Sequence, residues 1–267
     1  MMSALWTAAS GMIAQQTNVD VISNNLANVN TTAFKKERAE FKDLLYDTMD
    51  RARVMPTGSK PVNMQVGLGT TAVATVKDFE TGSPEETGNV LDFFIDGDGF
   101  FAVTGPAGET NYTRDGSFKV SISEDGTKTL TTSEGYPVLD DTGAPVTIDV
   151  DLSKLMVSQK GELSYTDENG LLVPTGQTIG LTYFENRNGL ESIGGNLYKA
   201  TQAAGTPVAA ADSTQVSLIN QNFLEASNVK TVEEMVKLIV AQRAYELNSK
   251  AIQSSDEMLG IANNLRR

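Results

Sequence analysis

Between Met1 and Phe34 the chain carries a single charged side chain, Asp20. Through the same stretch Leu5, Ala8, Met12, Gln15, Val19, Ile22, Leu26 and Val29 step alternately by three and four residues. That rhythm is the seam of a coiled coil with one polar position. It predicts a long N-terminal helix, about 45 Å at 1.5 Å per residue. Away from the seam stand Ser, Thr, Asn, Gln, Ala and Gly rather than Lys and Glu, so the opposite face is not built for bulk water. Small residues at Ala8, Ala9, Ser10 and Gly11 also permit close approach of another backbone. Such a helix needs neighbours on more than one side.

The other end of the chain repeats the pattern. "TVEE" at Thr231–Glu234 reads as a capping box, with the Thr hydroxyl serving the third amide and Glu234 reaching back. Beyond it Leu238, Tyr245, Ile252 and Leu259 recur every seven residues, and Ala241, Asn248, Ser255 and Ala262 fill the alternate slots. A second row, Val240, Leu247 and Ile261, widens the apolar surface. No Pro or Gly interrupts the run before Gly260, so the helix has no reason to stop earlier.

Between these ends the sequence reads as strands. "DFFIDGDGFFAV" sets two apolar runs around a Gly/Asp turn, and "ETNYTRDGSFKVSISEDGTKTLTTSEGYPVLDD" alternates apolar and polar residues, broken by Asp-Gly and Glu-Gly pairs that signal hairpins. The expected fold class is α+β: long N- and C-terminal helices forming a coiled-coil-like domain, with an inserted all-β domain, a sandwich or distorted barrel. The expected divisions are an N-terminal helical assembly segment at 1–46, an extended connector at 47–64, an all-β outer domain at 65–221 and a C-terminal helical assembly segment at 222–267.

Composition narrows the function. The net charge is −13; residues 1–50 contribute −2 and residues 222–267 balance, so the acidic surplus lies in the middle. Such a surface repels phosphates and disfavours nucleic acid. The chain has no Cys and no His, which removes thiolate metal sites, the cysteine nucleophile and the commonest general base. No cofactor is expected. "GLGTTA" at Gly67–Ala72 opens no βαβ unit, and "DGDG" at Asp96–Gly99 lacks the ligand spacing of a calcium loop, a turn being the simpler reading of Asp96 and Asp98. The sequons at Asn30 and Asn111 matter only on a glycosylating pathway. Nearly every carboxylate neighbours a Gly or lies on a charged helical face, so enzyme activity is not expected. The N-terminus lacks a basic n-region, so no cleaved signal is expected, nor is membrane insertion, since no apolar run reaches about 18 residues.

Two lightly charged helices at opposite chain ends can pair, yet one pair leaves apolar and amide-rich surface uncovered. Copies of the same pair complete it, and a head-to-tail contact that does not close generates a helical tube. The motifs point the same way: "SNNLANVNTTAFKKERAEFKDLLYDTM" and "FLEASNVKTVEEMVKLIVAQRAYELNSKAIQSSDEML" resemble the terminal signatures of the bacterial flagellar axial family of rod, hook and hook-associated proteins. Through the middle, "IDGDGFFAV", "YTRDGSF" and "GLESIGGNLYKAT" are similar to its distal-rod members. The resemblance implies a subunit of the drive shaft that carries torque from motor to hook. Its terminal helices would line an inner layer around a channel, the β domain would form the outer layer, and the flagellar export apparatus would carry the chain out without a cleaved signal. It would work in the basal body, in a rod crossing the periplasm. Implied partners are further copies, other rod proteins, the hook and the surrounding ring bushing. The connector at 47–64 corresponds in placement to a segment associated with a straight, stiff shaft. One departure is Ala33, where the family often has Gly in "NTTGF". A proximal rod or hook subunit shares both ends, and a secreted glycan-binding or glycan-cleaving β module is the reading from another class.

Four asparagines, Asn24, Asn25, Asn28 and Asn30, crowd the end of the first helix. Neutral amides donate and accept without the desolvation cost of charges. The expected subunit interface therefore combines Leu5, Met12, Val19, Ile22, Asn24, Asn25, Leu26 and Asn28 with Leu238, Tyr245, Ile252 and Leu259, the amides capping the helix and cross-linking neighbours.

Overall fold

A computed structural model describes residues 2–50, 63–106, 108–122, 126–167, 171–210 and 217–264. Two helices bracket the strands: α1 at Met2–Ala27 and α2 at Thr231–Asn264. The chain forms two compact units, one of Met1–Ala27, Glu37–Asp78 and Lys230–Arg267, the other of Asn28–Lys36 and Phe79–Val229.

In the first unit α1 and α2 pack antiparallel. Gly11 meets the Asn248 side chain, Gln16 and Val19 share a groove with Gln242 and Tyr245, and Asn25 bonds Glu234, so one helix ascends as the other descends. Along the predicted seam Ala8, Ile22 and Ala241 are buried, Leu5, Met12, Val19, Leu26, Leu238, Ile252 and Leu259 are half-buried, and Tyr245 is exposed. The 34 residues of α2 span about 51 Å. Its first turn differs from the expected capping box. The Glu234 amide donates to Lys230 O (3.1 Å), so the helix starts one residue earlier, with Thr231 inside its first turn and not at the cap. The Glu234 carboxylate turns away from Thr231 to accept from Asn25 Nδ2 (3.1 Å) and Lys237 Nζ (2.7 Å). Charge-assisted bonds in a dry position outweigh an exposed cap.

A two-stranded antiparallel ribbon completes this unit. Strand β1 (Glu37–Asp43) pairs with β4 (Thr70–Lys77), and β2 (Tyr46–Asp50) pairs with β3 (Met64–Gly67). Bonds from Leu44 N to Gly69 O and from Leu68 N to Leu45 O carry the ladder across the junction. Ser10 Oγ accepts the Thr70 amide (3.3 Å), and a Cβ on Gly69, at φ +115°, would stand 2.1 Å from that oxygen. The small residues of α1 therefore admit a ribbon backbone at Ser10 and an α2 side chain at Gly11. The ribbon strands group with the helices and not with the middle of the chain, so the first unit claims residues up to 78 where the β domain was expected to begin at 65. Most of the expected connector, 51–62, lies outside the described residues; 47–50 and 64 are strand.

The second unit is built from antiparallel strands. In β5 (Pro84–Glu86), β6 (Phe93–Asp96), β7 (Phe100–Thr104) and β8 (Thr110–Thr113) the central two apolar runs flank the Asp96–Gly99 turn. They do not pair with each other. Strand β6 pairs with Leu218–Gln221, whereas β7 lies within a six-stranded sheet ordered Glu191–Gly194, Leu197–Lys199, β8, β7, Leu181–Tyr183 and Val208–Ala209. Among the described residues a three-stranded sheet of Leu155–Val157, Glu162–Thr166 and Leu172–Thr178 and several two-stranded ribbons accompany that sheet. Phe93, Ile95, Phe101, Val103, Phe118, Leu130 and Ile179 form the main core. Phe79, Phe100, Phe184 and Tyr198 form a second cluster with rings 5.5–5.9 Å apart, edge to face.

Two of the Gly signals resolve differently. Gly135 takes φ +91° in a tight turn closed by its amide on Thr132 O, as expected of Glu-Gly. Gly116 makes no hairpin: a Cβ there would lie 1.8 Å from Phe93 O, so the residue is glycine to let two backbones touch.

Candidate assembly surface

The asparagine cluster at the end of α1 does its main work inside the subunit. Buried Asn25 donates to Glu37 O (2.8 Å) and Glu234 Oε2 (3.1 Å) and accepts from Glu37 N (2.9 Å). Both of its amide hydrogens are thereby used, and its carbonyl oxygen accepts one bond. One side chain staples the end of α1 to the start of β1 and the start of α2, so Asn25 is not available to cross-link a neighbour. Asn28 accepts from the Thr31 hydroxyl and amide, both at 3.1 Å, closing the turn after the helix. Asn24 is exposed. Behind the turn Ala33 sits at φ +56°, so the conformation that glycine would favour is kept with Ala in its place.

Around the seam the helices leave large apolar side chains uncovered. Trp6 is 71% exposed and Ile13 67% on α1; on α2 Val232 is 75% exposed and Leu247 65%, joined by Val236, Ile239, Val240 and Ile261. On the ribbon Leu45 is 83% exposed, with Tyr46, Met64 and Val73 also open. Patches this extensive mark interaction surfaces on a folded chain. Tyr245, expected in the interface, stands at the rim of an open groove of about 420 Å³ lined with Gln16, Val19, Gln242 and Glu246. Ile22 is consumed within the subunit. Trp6, Ile13 and the Val232–Val236 turn were missed because they fall outside the heptad stripe. For Trp6 and Ile13 the signal was present as apolar residues on a helix whose only charged side chain is Asp20.

Among the described residues no three His, Cys, Asp or Glu come together as a metal site. Asp98 pairs with Arg187 at 2.5 Å. A polar cavity of about 180 Å³ is bordered by Thr113, Asp115, Ser117 and Glu134, where burial raises the Asp115 carboxyl above its usual range. Asn111 of the second sequon is buried. No described helix is long and apolar enough to cross a membrane.

Comparison with known proteins places this surface in context. Residues 5–35 match the model described as "Flagella basal body rod protein", 94–165 that of the "Flagellar hook protein FlgE/F/G D1 domain", and 220–265 that of the "Flagellar basal body rod FlgEFG protein C-terminal". The flagellar basal-body rod protein FlgG of Borreliella burgdorferi is 48% identical over the whole of both chains. Its counterpart in Caulobacter vibrioides is 42% identical over 99% of this chain and all of that one. That of Bacillus subtilis is 39% identical over the whole of both. Most of α1, all of α2 and the exposed residues of both helices fall within the terminal matches; the exposed residues of the ribbon do not. The chain belongs to the flagellar basal-body rod protein family of FlgG, the distal rod proteins.

Proposed function

We infer that this chain, a structural subunit of the flagellar basal-body rod by its family, polymerises through the uncovered faces of α1 and α2 into the helical tube of the distal rod and carries torque from motor to hook. The observation that carries this reading is the apolar surface left exposed on the helix pair. A heterologous contact that repeats without closing yields a filament, and hydrophobic burial supplies its driving force. In this reading the helices form a coiled-coil inner layer, the β unit lies outside, and the subunit meets other rod and hook components in the basal body. Passage through the flagellar export apparatus without signal cleavage, a seat within the ring bushing and a rod crossing the periplasm belong to the same proposal. The connector at 47–64 would stiffen the shaft.

Purified full-length chain, concentrated and viewed by electron microscopy, is expected to form straight tubes. Chains lacking residues 1–27 or 230–267 should not; tubes from either truncation would overturn the proposal. Removal of 51–62 should bend or shorten the shaft without abolishing it. Asn24→Leu with Asn28→Leu should impair motility if these amides set the register between subunits, and unaltered assembly and swimming would refute that role.

A further inference from the structure

After α1 the chain enters the β unit for only nine residues, 28–36, before returning to the helical unit at Glu37. None of those nine side chains belongs to either apolar cluster of the β unit. Ala33 and Phe34 are buried, and polar contacts fix the rest. Ala33 N donates to Glu225 O (2.7 Å), Lys36 N to Asn228 Oδ1 (2.8 Å) and Asn196 Nδ2 to Thr32 O (3.0 Å). Lys35 reaches fully inside, its Nζ bonding Glu225 Oε1 (2.6 Å) and Glu80 O (2.7 Å). The same carboxylate accepts from Gly82 N (2.8 Å) and, through Oε2, from buried Arg114 Nε (2.9 Å). Arg114 is satisfied in turn by the carbonyls of Ile95, Gly97 and Gly99.

We propose that residues 28–36 form a latching strap, pinned to the β unit by Lys35 at Glu225, whose release is separable from unfolding of the β core. The mechanism follows from what holds each part. The core persists through two apolar clusters that do not include the strap, whereas the strap, which buries Ala33 and Phe34, is pinned by the Lys35–Glu225 ion pair and hydrogen bonds. Glu225 keeps Arg114 and the Gly82 amide when Lys35 is gone, so removing the lysine frees the strap without orphaning the carboxylate. The strap is thus a local opening unit of lower stability than the sheet it rests on. This inference does not depend on polymerisation and is read on the monomer.

Amide hydrogen exchange on full-length Lys35→Met tests it. Met keeps the apolar stem and deletes the charge. The amides of Ala33 and Lys36 are expected to exchange about tenfold faster or more, while those of Leu130, Leu139 and Val146, bonded to Val146, Ala102 and Val138 carbonyls, change less than about twofold. Asn196→Gly, which keeps the positive φ of that residue and deletes its bond to Thr32 O, should produce the same pattern at smaller size. Equal acceleration of strap and core amides in the two variants, or no acceleration at Ala33 and Lys36, overturns the proposal.

Discussion

Substitution of Asn25 by Ala should uncouple the helix pair in the monomer. The change deletes two hydrogen bonds to the Glu37 backbone and one to the Glu234 carboxylate, all at 2.8–3.1 Å around a buried side chain. A neutral bond is worth about 1 kcal/mol net and a bond to a charged group about 1.5–3, giving a loss of about 3–5 kcal/mol. Glu234 retains Lys237, which is half-exposed, so the carboxylate is not left wholly unpaired and the lower half of that range is expected. Against a domain stability of about 5–15 kcal/mol that is a large fraction. The assay is urea unfolding followed by far-UV circular dichroism, where α1 and α2 dominate the signal. Gln16→Ala, an exposed position on the same helix, serves as control and should stay within about 0.5 kcal/mol. A loss below about 1 kcal/mol for Asn25→Ala, indistinguishable from the control, would refute the claim that this amide staples the three segments.

Glu225→Gln should destabilise the β unit by about 3–5 kcal/mol, because Arg114 and Lys35 become buried cations without a counter-charge; near-UV dichroism of the Tyr side chains during urea unfolding measures it. Ala33→Gly should leave stability within about 0.5 kcal/mol, since relief of about 1 kcal/mol at φ +56° offsets a buried methyl worth about 0.8; Ala33→Val should cost clearly more, and equal urea midpoints for the two would contradict this. Burial, with a smaller push from Asp92, raises the Asp115 carboxyl, so its protonated form favours the fold: that contribution is full below the ordinary carboxylate range and is lost as pH rises through the raised value. Asp115→Asn, which can still accept the Ser117 amide, should therefore stabilise the β unit at neutral pH and not at pH 3, as thermal melts at the two pH values would reveal.

Much of the helical unit was legible in the sequence because a helix declares its faces locally. The heptad positions from Leu5 to Leu26 and from Leu238 to Leu259 line the pair, and Ser10 and Gly11 admit the close neighbours their size allows. Long-range partners were not legible. Thr70–Lys77 alternates like any strand of the β domain, yet it pairs with Glu37–Asp43, with β2 and β3 between them in sequence, and belongs with the helices. Glu234 stands in a perfect capping-box position and is drawn off by Asn25, more than 200 residues away. The Lys35, Arg114 and Glu225 cluster was invisible for the same reason, each residue looking like an ordinary surface charge until the chain brings them together in a dry site.

The sequence alone determined that this chain has helical ends, a strand-rich middle and too little charge on its terminal faces to remain solitary, since periodicity and composition act through neighbours along the chain. Tertiary structure decided which amide staples and which remains exposed, where each unit begins, and why a nine-residue strap leaves one unit for another. Those outcomes depend on which buried polar groups find partners, and a buried donor or acceptor is satisfied by proximity in space.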